Sequence, residues 1–416
     1  MLFIKNVRRY DTNENVNILI EDGIISEIGD IACPPLAKVI DGMGYIVSPG
    51  LFDMHVHLRD PGQTQKGDIF TETEAAAAGG VTSLAAMPNT LPTADCKEVI
   101  EYIVDKAQNA KARVYPVGAV TKGLKGKIMT NFNALKEVGA YAFTDDGAPI
   151  EDDEIMISAI KNAAELSVPL ISHCEDMAFA KGGKVNTGAA EKLGLAAMHP
   201  EAEYNMAKNH IELAEKCGGR VHIAHISAKE TVEIIKAAKK RGVKVTCETC
   251  PHYFSLTEEL TLSRDADYRM NPPLRTTEDV KAIIEGLRDG TIDAIVTDHA
   301  PHSVLDKADF EAAPNGVIGM ETSLAAGITY LVKTGLLSLK ELIEKMSINP
   351  ARIMNLIPVT LSVGSVADLI LIDENKVWEV NPEQLHGKSK NAVFKGMTLT
   401  GKVMLTLVGG KIKYQI

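Results

Sequence analysis

Apolar residues fall into two textures along this chain. Between residues 1 and 47, short apolar runs are separated by Asn, Asp and Gly: Leu2-Phe-Ile-Lys-Asn-Val7, Val16-Asn-Ile-Leu-Ile20, Ile24-Ile-Ser-Glu-Ile28 and Val39-Ile40. Such runs predict short strands joined by turns. The same texture returns in Ala367-Asp-Leu-Ile-Leu-Ile372, Ala392-Val-Phe394, Val403-Met-Leu-Thr-Leu-Val408 and Gly409-Gly-Lys-Ile-Lys-Tyr414. Neither end supplies enough strands for a sheet alone, so the two are expected to pair into one small β domain, 1–47 plus 360–416.

Between the ends, apolar strands alternate with helical periodicity. Eight strand candidates lie at 49–56, 81–87, 113–119, 140–145, 168–173, 220–226, 243–248 and 293–298. Most precede an amphipathic run, as at 151–166, 201–217, 228–241 and 277–287. Eight β-then-α units predict an α/β fold, a closed (β/α)8 TIM barrel over 48–359. An open doubly wound sheet would show the same alternation, and the polar residues arbitrate.

In such barrels the chemistry sits at the C-terminal strand ends. The first candidate strand runs into His55, His57 and Arg59, the second into Asn89, the fourth into Asp145-Asp146, the fifth into His173-Cys-Glu175, the sixth into His225-Ile-Ser227 and the eighth into Asp298-His-Ala-Pro-His302. Side chains two apart on a strand project together, so His55 and His57 form half of a metal site. Four histidines and two aspartates exceed the three protein ligands usual for one catalytic zinc, which suggests two metals sharing a carboxylate and an activated hydroxide. Asp298 is placed to touch a metal and to carry a proton, as a general base and then a general acid. Whether Asp145 or Asp146 is the shared carboxylate stays open, because adjacent strand residues face opposite ways.

The remaining candidates read as ordinary structure. His199, His210 and His386 fall in surface helical or loop positions, and His222 has the opposite strand parity from His225. Cys247-Glu-Thr-Cys250 has no second pair to complete a structural zinc site and reads as buried thiols, with His252 a weaker pocket candidate. Residues 303–316 are expected to form a loop near the mouth.

Composition narrows the function classes. The 416 residues suit one barrel of about 250 residues plus additions. A formal charge of −11 argues against nucleic acid as a partner but leaves room for a small anion held by local arginines. No run approaches the roughly 20 apolar residues of a membrane span, and no signal-peptide pattern opens the chain, so no membrane partner and a cytoplasmic location are expected. Six scattered cysteines fit reduced thiols.

Pro49-Gly-Leu-Phe-Asp-Met-His55-Val-His57, with His173, His225 and Asp298 at later strand ends, resembles the amidohydrolase superfamily of metal-dependent hydrolases. Within it, His57-Leu-Arg59-Asp-Pro-Gly62, Met87-Pro-Asn89-Thr-Leu-Pro92, Phe143-Thr-Asp-Asp146-Gly, Met270-Asn271-Pro-Pro-Leu-Arg275 and Thr297-Asp298-His-Ala-Pro-His302 resemble the dihydroorotases of the longer bacterial class. The resemblance implies reversible cyclisation of N-carbamoyl-L-aspartate to L-dihydroorotate in pyrimidine synthesis. It makes His55 and His57 ligands of one zinc and His173 and His225 ligands of a second. Asp146 bridges them, and Asp298 completes the first shell as catalytic base. Two Zn2+ per chain are expected, or one if the aspartate bridge holds the second ion less firmly than the carboxylated lysine of many relatives. Arg59, Asn89 and Asn271 would bind the substrate carboxylate, His302 the ring, and Asn315 and Gly316 would offer backbone groups. A homodimer is expected, with aspartate transcarbamoylase as a candidate partner. Other readings are an allantoinase or dihydropyrimidinase, whose substrates lack the ring carboxylate, and a non-catalytic scaffold for the transcarbamoylase, which would lack the ligands present here.

Overall fold

The computed structural model describes residues 1–416. Strands β1 (Leu2–Arg9), β2 (Asn15–Glu21), β3 (Ile24–Gly29), β4 (Lys38–Asp41) and β5 (Ile46–Pro49) come first. The barrel strands follow: β6 (Leu51–Val56), β7 (Val81–Ala86), β8 (Arg113–Ala119), β9 (Ala142–Thr144), β10 (Ile171–Ser172), β11 (Val221–Ile223), β12 (Val245–Thr249) and β13 (Ala294–Ile295). The chain ends with β14 (Leu369–Glu379), β15 (Thr398–Val408) and β16 (Lys411–Gln415).

β6 to β9 and β10 to β13 form two parallel ladders. Parallel bridges from Phe143 to Leu170 and from Val56 to His299 close them into one barrel, which excludes the open sheet. Helices Asp153–Glu165, Glu201–Cys217, Lys229–Lys240 and Thr277–Asp289 pack outside it, within two residues of the ends that the periodicity predicts. Several barrel strands are shorter than the apolar runs suggest. The ladder stops early where the residues at the mouth leave strand conformation: His225 and Asp298 have φ of +30° and +48°.

The two chain ends share one sheet, in the order β16-β15-β14-β5-β1-β2-β3, with β4 against β1. The join is the antiparallel pair β14–β5, which sets Leu369 opposite Pro49 and Ile372 opposite Ile46. Alternation along β14 serves two cores at once. Leu369 and Leu371 pack with Ile4, Ile18 and Leu407 of the terminal sheet, while Ile370 and Ile372 pack with Leu51, Leu84 and Val403 against the barrel. Between β5 and β6 the chain passes from sheet to barrel at Gly50, where a Cβ would lie 2.2 Å from the Thr82 side chain, so only glycine fits.

One predicted strand is absent. Ala392 makes a single parallel bridge to Ile318, Val393 and Phe394 lie in the turn that follows, and the three fill a core pocket beside Met54 and Ile318 instead of a sheet face. Short apolar runs of this kind do not by themselves distinguish a buried turn from a strand.

His210 also departs from its predicted surface position. It is 2 % exposed, its Nδ1 is 2.6 Å from Ser172 Oγ and its Nε2 3.1 Å from the Ile150 carbonyl, so it ties helix Glu201–Cys217 to β10. Burial pushes its pKa down to about 4. The unfolded chain therefore takes up this proton first, and His210 removes stability as pH falls from about 6.5 towards 4, by up to about 3 kcal/mol. Urea unfolding at pH 7 and pH 5 checks this: His210→Gln should lose less stability on acidification than the wild type, and equal losses would contradict it.

Candidate active site

The first barrel strand carries its chemistry on one face. Asp53, His55 and His57 alternate with Phe52, Met54 and Val56, so the three polar residues project together. Asp53 accepts hydrogen bonds from the Thr297 backbone (3.1 Å) and hydroxyl, which pins the middle of β6 to the segment after β13. That contact and a hydrogen bond from His57 N–H to the His299 carbonyl (2.8 Å) bring Asp298 against the two histidines.

Six side chains converge there. His57 Nε2 lies 3.0 Å from Asp298 Oδ1 and 3.4 Å from Asp146 Oδ2. His55 Nε2 lies 3.2 Å from Asp146 Oδ1 and 3.7 Å from Asp298 Oδ1. His173 Nδ1 and His225 Nε2 stand 2.9 Å apart, at 3.7 Å and 3.6 Å from Asp146 Oδ1. One oxygen of Asp146 thus faces His57 while the other faces His55, His173 and His225. The neighbouring Asp145 turns away and accepts from the Thr121 backbone (2.9 Å) and hydroxyl, so only Asp146 enters the cluster.

The far nitrogens of three of these imidazoles meet oxygen acceptors. His55 Nδ1 is 2.7 Å from Glu248 Oε1, His57 Nδ1 is 2.7 Å from Asn89 Oδ1, and His173 Nε2 is 3.0 Å from Glu175 Oε2. An ionised carboxylate only accepts, so His55 and His173 carry a proton outward, and the Asn89 amide oxygen asks the same of His57; in each neutral ring the inward nitrogen is then left as a lone pair. This is how histidines are held around metal ions. Behind Glu248, His222 Nε2 lies 3.1 Å from the second carboxylate oxygen. Burial would raise Glu248, but the two histidines outweigh it and hold its pKa at about 2.

A metal fits this donor set. His55, His57 and Asp298 form one group whose ligand atoms lie within 4.8 Å of one another, and His55, Asp146 and His225 form another. His55 Nε2 and Asp146 Oδ1 are fully buried without a hydrogen-bond partner. Orphaned polar atoms at the centre of a cluster are costly unless something polar or charged completes them.

Every predicted site residue except His55 lines one cavity of about 250 Å3: His57, Arg59, Asn89, Asp146, His173, His225, Asn271, Asp298, His302, Asn315 and Gly316. His55 lies behind them, fully buried. A larger cavity, about 370 Å3, lies among Pro169, Arg220 and Lys244 at the N-terminal strand ends, so chemistry and not size singles out the mouth. Arg59 is 8 % exposed, with φ of +61°, and its Nε donates to the Pro301 carbonyl at 3.2 Å. Left-handed backbone at Arg59, His225 and Asp298 costs of order 1–3 kcal/mol each, strain that clusters where side chains must be aimed. His302 Nε2 is 2.9 Å from the Asn315 carbonyl; burial, reinforced by the charge of Arg59, pushes its pKa down to about 2, so the ring is neutral. Gly316 has φ of +132°, and a Cβ there would lie 2.7 Å from Ala300 and 3.0 Å from His302.

Sequence reasoning gave no role to Glu248, Glu175 or Asn391. Asn391, 4 % exposed, donates to the carbonyls of Ala300 and Gly316 (both 3.1 Å) and accepts from His302 N–H at 3.1 Å, so it secures the rim. Glu248 had a visible signal, a charged residue inside the apolar strand 243–248, masked by the flanking cysteines. Those cysteines are free and buried, and burial raises both thiols.

Residues 44–231 match the family model described as dihydro-orotase-like. The chain is 46% identical to a dihydroorotase of Syntrophus aciditrophicus over 100% of its length and 99% of that protein's. It is also 46% identical to a dihydroorotase of Geobacter metallireducens, over 97% and 96% of the two chains. Among solved structures, the L-hydantoinase (dihydropyrimidinase) from Arthrobacter aurescens superposes with a TM-score of 0.89 at 28% identity, covering 100% of this chain and 96% of that one. A D-hydantoinase (dihydropyrimidinase) from a Thermus species gives 0.86 at 25% identity, covering 100% and 95%. The fold is thus one that cyclic-amide hydrolases share, and identity over the whole length places the chain in the dihydroorotase family.

Proposed function

We propose that this chain reversibly closes N-carbamoyl-L-aspartate to L-dihydroorotate, a step of pyrimidine synthesis, in the cavity at the barrel mouth. The observation that carries this reading is the meeting of two sets of groups in that one cavity. His57, Asp146, His173, His225 and Asp298 face Arg59, Asn89 and Asn271, a cation and two amides suited to a substrate carboxylate. An unsubstituted hydantoin or dihydropyrimidine has no carboxylate for the second set, which favours dihydroorotase over the activity of the structural neighbours. The proposed division of labour gives the chemistry to 48–359, while 1–47 and 360–416 support the barrel.

His55, His57 and Asp298 would hold one divalent ion and His173 and His225 the other, with Asp146 shared; the nitrogen and oxygen donors suit zinc. When bound, such ions supply water acidified from a pKa of 15.7 to about 7 and polarisation of the amide carbonyl. The protein groups do the rest. Arg59 can hold the carboxylate by two parallel hydrogen bonds, which turns the ring amide towards Asp146 and Asp298. Asn89, with its oxygen committed to His57, keeps both N–H bonds for substrate. In hydrolysis Asp298 accepts the proton of the attacking water and delivers it to the departing ring nitrogen. In ring closure the steps reverse: Asp298 accepts the proton of the attacking ureido nitrogen and delivers it to the departing oxygen.

Metal analysis with a dihydroorotate hydrolysis assay tests this. Two metals per chain and turnover by the wild type are expected, with kcat reduced at least about 100-fold in Asp298→Ala. Binding of metal without turnover of dihydroorotate would keep the site and reject the substrate. Arg59→Lys should raise KM about tenfold by losing the two-pronged contact, and an unchanged KM would remove Arg59 from the carboxylate site.

A further inference from the structure

Glu175 follows β10 and, with its side chain 12 % exposed, is largely withdrawn from water. Two other buried carboxylates bind backbone donors: Glu203 accepts from the backbone of Ser227 and Ala228, and Asp145 from the backbone of Thr121. The side chain of Glu175 bonds no backbone group. Its Oε2 meets two partners, His173 Nε2 at 3.0 Å and Asn271 Nδ2 at 2.8 Å. One oxygen atom therefore touches a proposed metal ligand and a proposed carboxylate donor.

We infer that Glu175 is a positioning residue that sets the direction of both groups. Because the carboxylate only accepts, it fixes the His173 proton on Nε2 and leaves the Nδ1 lone pair facing Asp146. By the same rule it fixes the Asn271 amide with nitrogen towards Glu175 and the cavity, so the second N–H is free for an anion. Without it the amide can turn over and present oxygen, which repels a carboxylate. Glu175 thereby couples the metal side of the cavity to the side that reads the ring carboxylate. This rests on the reading of Asn271 as a carboxylate donor.

Two measurements test it, and one does not depend on substrate. Zinc affinity of the full-length protein, by chelator competition, should fall 10–100-fold in Glu175→Ala and stay within about threefold of wild type in Glu175→Gln, whose amide oxygen accepts both bonds. Calorimetry on the zinc-saturated protein should show about tenfold weaker binding of orotate, which keeps the ring carboxylate, in Glu175→Ala, with uracil unaffected. In an Asn271→Ala background the further change Glu175→Ala should leave orotate affinity unaltered. Unchanged zinc affinity, equal losses for orotate and uracil, or a full Glu175 effect without Asn271 would each overturn the assignment. If wild-type protein ignores both dihydroorotate and orotate, the substrate reading fails, while the zinc arm still decides whether Glu175 positions His173.

Discussion

An imidazole that donates a proton to a carboxylate from one nitrogen cannot also carry one on the other without becoming charged. The centre of this protein depends on that constraint. Glu248 lies on the seventh barrel strand and His55 on the first, and their 2.7 Å contact crosses the barrel interior to decide which edge of the imidazole is bare. Asn89 and Glu175 make the same decision for His57 and His173 from two further strand ends. The protein places lone pairs, and lone pairs together with Asp146 and Asp298 are what a divalent cation requires. Burial makes the arrangement demanding, since an unpaired polar atom away from water costs several kcal/mol or must find a partner.

The closed barrel is what brings these decisions together. Parallel strands all end on one side, so residues far apart in sequence meet at one rim. Left-handed backbone at Arg59, His225 and Asp298 then turns the chain out of the ladder at that level. Short strands at β11 and β13 follow from that turn as much as from sequence propensity. Asp53 and Thr297 tie the first strand to the last, so closure of the barrel and placement of Asp298 depend on the same contact.

Much of this was legible in the amino-acid order, because it rests on local periodicity. Alternation marked the eight strands, and polar residues after apolar runs marked the mouth. His55 and His57 share a face for the same reason that any strand residues two apart do. What stayed hidden depends on partners distant in the chain. Parity separates Asp145 from Asp146 but does not say which faces in; Thr121 settles it by capturing Asp145. His210 looked like a surface helix residue because the groups it reaches, Ser172 and the Ile150 carbonyl, are 38 and 60 positions away. Glu248 lies between Cys247 and Cys250, whose C-x-x-C spacing is the more conspicuous pattern, and its partner His55 is 193 positions away. Ala392-Val-Phe394 carried strand composition into a turn, since burial selects the same residues in both.

Asn391 fastens the rim of the cavity from a segment 89 positions after His302, on the connection between β14 and β15. The residues that line the cavity stand on the barrel, yet the carbonyls of Ala300 and Gly316 are gripped from outside it by one amide side chain. β14 is also the strand that joins the terminal sheet to β5. The small β domain and the mouth of the barrel are therefore mechanically linked: a change that loosens the sheet reaches the cavity through Asn391, although it touches no residue of the metal-ligand set.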